Sequence, residues 1–252
     1  MKRFLLHYLP LALLVGALTA YLVVQQGQHR QAAFEAGESA HLKDSAQLFL
    51  HDLNRSLKHL QGLAQEPPVR RALAAPLAVA RPQMEEALQT LLYRNPDYAQ
   101  ARWIGADGME LARVDRAGDR VALTPSGQLQ DKADRPYVIE TLRLPHGQLY
   151  LSALDLNVEH GQIEVPHRPM MRAAVRLPLV QGQDQGLLVI NLLAQYLLDD
   201  YINSTSPVRG EQHLLLNDRG QWLVAPDPQD SWGHLLGRDN AQALRQSQLW
   251  AA

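Results

Sequence analysis

The N-terminal part of the chain contains its longest stretch without a charged residue. After Lys2 and Arg3, residues 4–24 carry no charge. An α-helix rises about 1.5 Å per residue, so this segment is long enough to cross the roughly 30 Å hydrocarbon core of a bilayer. The two cations favour a cytoplasmic N-terminus and an exported remainder. We therefore expect a single inner-membrane span over residues 4–24. A cleaved signal peptide is the alternative, although its apolar core is usually shorter.

Residues 25–64 carry apolar positions at helical spacing. The stripe comprises Leu42, Ala46, Phe49, Leu53, Leu57, Leu60 and Ala64. Its steps of three and four positions place these side chains on one side of an α-helix. Pro67 and Pro68 are expected to end the helix. We expect the stripe to form the seam of a homodimer. Packing against the core of the protein's own domain is a compatible alternative.

From Pro82 onward the pattern changes to short apolar runs separated by turns. It predicts a helix at residues 84–93, a β-hairpin at 101–104 and 110–114 around Asp107 and Gly108, and a helix at 192–202. Further strands are predicted at residues 149–153, 163–165, 171–177 and 186–191. This order of elements predicts an α+β fold, with an antiparallel sheet that has helices on one side.

The hairpin pattern recurs near the end of the sequence. Residues 215–223 repeat the apolar run, the turn with Asp and Gly, and the second apolar run of residues 103–111. The repeat predicts two related modules in tandem. The second module, residues 207–252, is shorter than the roughly 70 residues below which a lone core rarely gives useful stability. We therefore expect this sequence to be the front part of a longer chain.

Composition and motifs narrow the class of protein. Lys and Arg total 24 and Asp and Glu total 26, and the net charge of −2 argues against nucleic-acid binding. Cysteine is absent, which excludes disulfides and thiolate metal sites. The histidines lack a compact ligand spacing, so we expect no metal and no cofactor. There is no nucleophile elbow, phosphate-binding loop or zinc-protease motif, and we expect no catalysis within these residues.

Four segments between the two hairpins complete a characteristic order. They are residues 132–137 (Lys-Ala-Asp-Arg-Pro-Tyr), 147–152, 161–175 and 186–191. Together with the hairpins they resemble the double Cache domain, an extracytoplasmic sensor with two PAS-like lobes on a long N-terminal helix. The resemblance implies four parts. These are a membrane helix at residues 1–24, a long helix at 25–68, a membrane-distal lobe at 69–206, and an incomplete membrane-proximal lobe at 207–252.

The resemblance also implies a function. Double Cache domains belong to bacterial transmembrane receptors, which implies the ligand-sensing region of an inner-membrane receptor, with most of the chain in the periplasm. The output would be a histidine kinase, a diguanylate cyclase or a chemotaxis signalling domain, and none of their signatures occurs in these 252 residues. One alternative is a module that recognises a periplasmic solute-binding protein instead of a free ligand. An exported, membrane-anchored enzyme is another.

In such sensors the distal lobe holds a small ligand between its sheet and a helical excursion. The candidate ligand-binding residues here are Lys132, Arg135, Tyr137, Tyr150, Ser152 and Asp155. Arg135 could pair with a carboxylate and Asp155 with an amine, which suits a small organic acid or a zwitterion. Amino-acid-binding members typically carry Arg-x-Trp-Tyr, where this chain has Arg135–Pro136–Tyr137. The alternative is that Arg135 and Asp155 bond to each other or to local backbone, while the tyrosines only pack.

A second group of cations follows the candidate residues. It comprises His160, His167, Arg168, Arg172 and Arg176. Arg172 and Arg176 are four positions apart on a predicted strand, so they share one side of it. We expect this side to face solvent. An anion site is the alternative.

Overall fold

The structure is a computed structural model, and it describes residues 2–159, 161–204 and 214–238. The α-helices of this part are α1 (Lys2–Gln65), α2 (Pro67–Leu73), α3 (Leu77–Arg94), α4 (Pro136–Arg143) and α5 (Ala194–Ser204). Two short 3₁₀ helices lie at Ser126–Gln128 and Pro228–Asp230. The break between α1 and α2 confirms that Pro67 and Pro68 end the long helix. A proline is tolerated in the first turn of a helix, so α2 begins at once.

Seven strands form the central antiparallel sheet. They are β1 (Tyr98–Ile104), β2 (Glu110–Ala117), β3 (Arg120–Leu123), β4 (Leu149–Leu151), β5 (Asp155–Leu156), β8 (Pro169–Arg176) and β11 (Leu187–Leu193). Their order is β3-β2-β1-β11-β8-β4, and β5 also pairs with β8. Three small hairpins complete the set: β6 (Val158–Glu159) with β7 (Gln162–Ile163), β9 (Leu179–Val180) with β10 (Gln183–Asp184), and β12 (Leu215–Leu216) with β13 (Trp222–Val224). The predicted α+β class is confirmed.

The chain divides into two units, residues 1–48 and residues 49–252. The first unit consists of the N-terminal part of α1, which includes the predicted span at residues 4–24. Within the residues that the structure describes, no helix combines the length and the apolar character that a membrane crossing requires. Several apolar side chains of the first unit are exposed, among them Leu18, Tyr21, Leu22, Val24 and Leu48.

In the second unit the helical stripe packs into the protein's own core. Leu53, Leu60 and Ala64 of α1 are buried in the main apolar cluster together with residues of α3 and the sheet. The predicted dimer seam is therefore wrong for these three residues, because their apolar surface is already covered within one chain. Ala46 is exposed, and the side chain of Leu42 lies outside the described part of the structure.

The two faces of the sheet have different coverings. Side chains alternate between the faces along a strand. On one face, Trp103 of β1 and Ile190 of β11 join the apolar cluster that contains Leu88 of α3. On the other face, Tyr137 and Val138 of α4 pack in a smaller cluster with apolar residues of β1, β8 and β11. This second face also carries polar residues, and α4 covers only part of it.

The β1–β2 turn positions the segment that leads into α4. Gly108 has a φ of +87°, and a Cβ at this position would lie 2.5 Å from Cα of Ala133. Only glycine permits this approach, since a side chain would also meet the opposing backbone. The backbone N–H of Lys132 then donates to the Gly108 carbonyl at 2.9 Å. The predicted hairpin is confirmed, and its turn places residues 131–135 against the sheet.

The C-terminal hairpin predicted at residues 215–223 is present as β12 and β13. Its Leu223 packs with Trp232, with Leu156 of β5 and with Leu198 of α5. These residues form a third apolar cluster, which joins the hairpin to β5 and α5. The predicted boundary at residues 206 and 207 lies outside the described residues.

Candidate ligand-binding cavity

A cavity of about 250 Å³ lies between the central sheet and the beginning of α4. Its lining includes all six candidate residues: Lys132, Arg135, Tyr137, Tyr150, Ser152 and Asp155. It also includes Arg102, Pro136, Ala153, Asn157, Val158 and Arg172. Pockets for drug-sized ligands usually measure roughly 300–1,000 Å³, so this cavity suits a smaller metabolite. A larger groove of about 880 Å³ is lined by residues of α1, α2 and α3 and contains none of the candidates.

Antiparallel pairing brings candidates from separate segments to this face. Tyr150 of β4 lies opposite Ala174 of β8. After β4, the backbone N–H of Ser152 donates to the Arg172 carbonyl at 2.9 Å, and β5 then pairs Asp155 with Met170. The segment 150–155 therefore follows β8 closely, and its side chains face those of Arg172 and its neighbours.

Arg172 is central to the cavity wall. Its Nη1 lies 2.7 Å from Oδ1 and 2.8 Å from Oδ2 of Asp155. Its guanidinium carbon is 5.6 Å from the centre of the Tyr137 ring, which is within the range of a cation–π contact. The expected solvated face is wrong, because Arg172 is only 8 % exposed and Arg176 is 9 % exposed. Arg176 is paired with Asp184.

Asp155 has an unusual environment for a carboxylate. Its side chain is 41 % exposed at the cavity. Burial raises the pKa of Asp155 above its ordinary value, and the charge and hydrogen bond of Arg172 oppose that rise. Arg172 is therefore the partner that stabilises the charged form of this partly exposed carboxyl group. Arg135 and Asp155 each have another partner, so the alternative in which they bond to each other is wrong.

Arg102 was not among the predicted candidates, although it lines the cavity. It is 4 % exposed, and its Nε lies 3.1 Å from Oε1 of Glu110, an ion-pair distance without hydrogen-bond geometry. Its Nη1 donates to Oδ1 of Asn191 at 3.2 Å, and its Nη2 donates to Gln100. Gln100 in turn donates to Asp115 at 2.7 Å. A buried row of polar residues thus orients the guanidinium.

The remaining candidates differ in how their polar groups are used. Arg135 precedes α4, is 36 % exposed in its side chain, and lies 3.4 Å from Asp134. Lys132 is buried, and its Nζ donates to Gln130 at 2.6 Å. The Ser152 hydroxyl donates to the Ala153 carbonyl at 2.7 Å and accepts the Arg172 backbone N–H at 2.9 Å. Ser152 therefore has a structural role that its position alone did not reveal.

The tyrosines form part of the apolar wall. Tyr137 is buried, and Tyr150 packs against the same cluster. Burial raises the pKa of Tyr150, so its phenol is protonated at neutral pH. Among the described lining residues, four are cationic and one is acidic. The four cations are Arg102, Lys132, Arg135 and Arg172. This excess of positive charge around the cavity favours the entry of an anion.

Comparison with known proteins identifies the fold. The model of the family described as "Bacterial histidine kinase, sensor domain" matches residues 25–252. No curated protein matches the chain. One similar structure is the domain of a protein assigned to the sensory box/GGDEF family of Vibrio parahaemolyticus. It is 20 % identical, with 83 % of each chain covered and a TM-score of 0.63.

Two further solved structures share the fold. The extracellular domain of vpHK1S-Z8, assigned as a histidine kinase, is 20 % identical, covers 84 % of this chain and 80 % of its own, and has a TM-score of 0.59. The ligand-binding domain of the Campylobacter jejuni chemoreceptor Tlp3, in complex with 4-methylisoleucine, is 13 % identical and has a TM-score of 0.53. That match covers 83 % of this chain and 75 % of the Tlp3 domain. The predicted resemblance to extracytoplasmic sensors is confirmed, and the chain belongs to the bacterial histidine kinase sensor domain family.

Proposed function

We propose that this chain is the ligand-sensing region of a bacterial membrane receptor and that the cavity beside α4 binds a small organic acid or zwitterion. The observation that carries the proposal is the lining, in which Arg102, Lys132, Arg135 and Arg172 stand around one small cavity. Positive charge in an enclosed site raises the local concentration of anions. The fold supports the same role, since the Tlp3 ligand-binding domain forms complexes with 4-methylisoleucine and with L-valine.

The proposed signal passes from the cavity through α1. A ligand that binds one conformation better than another shifts the population towards it. The uncharged residues 4–24 would anchor α1 in the inner membrane, with the remainder in the periplasm. A second membrane segment and a kinase, cyclase or chemotaxis output would follow the membrane-proximal lobe that begins near residue 207.

We also propose that the receptor is a homodimer. Leu48 and Leu50 of α1 are exposed apolar residues, whereas Leu53 is already buried within one chain. A dimer contact on α1 would therefore use the exposed positions. Sedimentation of the full chain in detergent tests this point, and a monomer at all accessible concentrations would contradict it.

Arg135 offers a direct test of the cavity. We expect Arg135→Ala to abolish the rise in melting temperature that small organic acids or amino acids give the full chain in detergent. The matched control is Arg143→Ala, which removes the same charge from an exposed position of α4 outside the cavity. Arg143→Ala should stay within about 0.5 kcal/mol of the parent in stability, and Arg135→Ala within about 1 kcal/mol, because the partner of Arg135 is largely solvated.

The outcomes separate the candidate functions. An undiminished shift in Arg135→Ala would remove Arg135 from the site. A shift that appears only with a loaded periplasmic solute-binding protein would favour the partner-binding module over the direct sensor. Turnover of a bound compound would favour the enzyme.

A further inference from the structure

We infer that the ligand is a small organic carboxylate without an ammonium group, rather than an amino acid. The inference rests on the proposed function, because it concerns the same cavity. It follows from the position of Arg172, whose side chain occupies the place that a ligand ammonium would need.

A site for an amino acid needs groups that hold a cation. A carboxylate and an aromatic face are the usual ones. In this cavity the carboxylate of Asp155 and the ring of Tyr137 are both already in contact with one side chain, and Tyr150 is the other aromatic residue of the lining. Both oxygens of Asp155 lie within 2.8 Å of Nη1 of Arg172, and the Tyr137 ring lies 5.6 Å from the same guanidinium. Asp155 is the one acidic residue among the described lining residues.

Displacement of Arg172 by a ligand ammonium would be unfavourable. Arg172 is 8 % exposed, and a buried cation that loses its counterion is strongly destabilised. Its backbone is also held, since its N–H donates to the Ser152 hydroxyl and its carbonyl accepts from the Ser152 N–H, both at 2.9 Å. The pair of Arg172 and Asp155 therefore belongs to the wall, and the wall already contains its own cation.

Unlike the acidic and aromatic groups, the guanidinium groups that would hold a ligand carboxylate still have N–H groups to donate. Arg102 is buried and is held in place by Glu110, Asn191 and Gln100. A guanidinium has five N–H groups, one on Nε and two on each Nη. Each of the three contacts involves a different nitrogen, so one N–H group remains on Nη1 and one on Nη2. Arg135 adds a second, half-buried guanidinium whose partner Asp134 is largely solvated. A carboxylate gains from these cations, whereas an ammonium on the same ligand would be repelled by them.

The experiment compares ligands that differ only in the ammonium group. Melting temperature and calorimetric affinity are measured on the full chain in detergent with three pairs: propionate and L-alanine, 3-methylbutyrate and L-valine, and succinate and L-aspartate. We expect the better-bound acid to exceed its amino partner by about tenfold in affinity, the factor that corresponds to about 1.4 kcal/mol.

Two variants make the test specific to Arg172 and Asp155. Asp155→Asn leaves Arg172 without its counterion, which lowers stability, but it also removes the negative charge from the cavity wall, so acid binding should be strengthened. At an amino-acid site the same change would weaken binding by about tenfold or more. Arg172→Gln frees the carboxylate and the Tyr137 ring, and the preference for the acid should fall or reverse. Arg143→Gln is the control for a lost charge outside the cavity.

The results distinguish this inference from the proposed function. Tighter binding of the amino acids, with loss of binding in Asp155→Asn, would overturn the inference and leave the sensor proposal intact. The absence of any shift with all six compounds would count against both. If either variant fails to fold, the comparison of the six compounds on the unsubstituted chain still decides between the two ligand classes.

Discussion

The two faces of the central sheet are built from the same strands but use different chemistry. Towards α3, Trp103 and Ile190 lie in an apolar cluster with Leu88. The opposite face of the same strands carries polar residues: Gln100 and Arg102 on β1, Asn191 on β11 and Arg172 on β8. One face is therefore covered by α1 and α3 through hydrophobic burial. The other face carries buried charges beside a cavity.

The comparison teaches how a sheet can be stable and still present polar groups. Buried charges cost free energy unless each has a partner. Here Glu110 is paired with Arg102, Asp155 with Arg172, and Asp184 with Arg176. The apolar face supplies the net stability, because the desolvation of two charges offsets much of their attraction. The polar face therefore adds little net stability, which fits the role in recognition that we propose for it.

The largest effect is expected from the polar face. Glu110→Gln should lower the free energy of unfolding by about 3 to 5 kcal/mol, because it leaves the buried Arg102 without its counterion. Urea unfolding of the full chain, followed by circular dichroism, measures this change. The matched control is Glu140→Gln, which breaks an exposed pair with Arg143 and should cost less than about 1 kcal/mol. Equal losses in both variants would contradict the distinction.

A somewhat smaller loss is expected from the apolar face. Leu88 of α3 is fully buried, and Leu88→Ala should lower the free energy of unfolding by about 2 to 4 kcal/mol through lost burial and the cavity left behind. Leu77→Ala, at an exposed position of the same helix, should change it by less than about 1 kcal/mol. The rise in melting temperature that a ligand causes should persist in Leu88→Ala. Their selective loss would show that the two faces are not separable.

The smallest effect concerns the pH dependence of stability. Burial raises the pKa of Asp155 above 3.8, so the folded chain binds more protons than the unfolded chain between that value and the raised pKa. The resulting stabilisation is full below pH 3.8 and is lost as the pH rises through the raised pKa. Asp155→Asn removes this dependence.

Urea midpoints of the parent and Asp155→Asn, compared between about pH 4 and pH 7, measure the difference. The urea midpoint of the parent, relative to that of Asp155→Asn, should fall as the pH rises. Asp134→Asn, at a largely solvated position, should show no such change. A constant difference for Asp155→Asn would mean that the carboxyl has an ordinary pKa.

Much of the fold was predictable from local patterns. The hairpin around Gly108, the strand that became β8 and the helix within α3 all follow from periodicity and turn residues. The short elements α2 and β3 were not predicted, because each offers too few residues for a period to be recognised. The resemblance implied α4 only as a helical excursion without bounds. The six candidate residues were chosen by family resemblance, and the structure brings them to one cavity. Their role in binding stays a prediction.

Two cavity residues are not among the six candidates: Arg102 was not singled out at all, and Arg172 was named only in the group of cations for which an anion site was the alternative. Arg102 and Arg172 lie on strands where an alternating charge normally indicates the solvent side. The register of the hairpin does place Glu110 near Arg102, which was a usable signal for one of them. Asp155 is 17 positions from Arg172, and Asn191 is 89 positions from Arg102. No local pattern connects residues at these distances.

The amino-acid sequence by itself determined the local elements, the near-neutral charge, the absence of cysteine and the order of segments that resembles a bacterial sensor domain. Only the tertiary structure decided which charged residues are buried, that Arg172 rather than Arg135 holds Asp155, and that Leu53 packs inside the chain instead of in a seam. The reason is physical. Helical and strand periods are set by neighbouring residues, whereas a buried charge is stable only beside a partner that the fold brings from elsewhere.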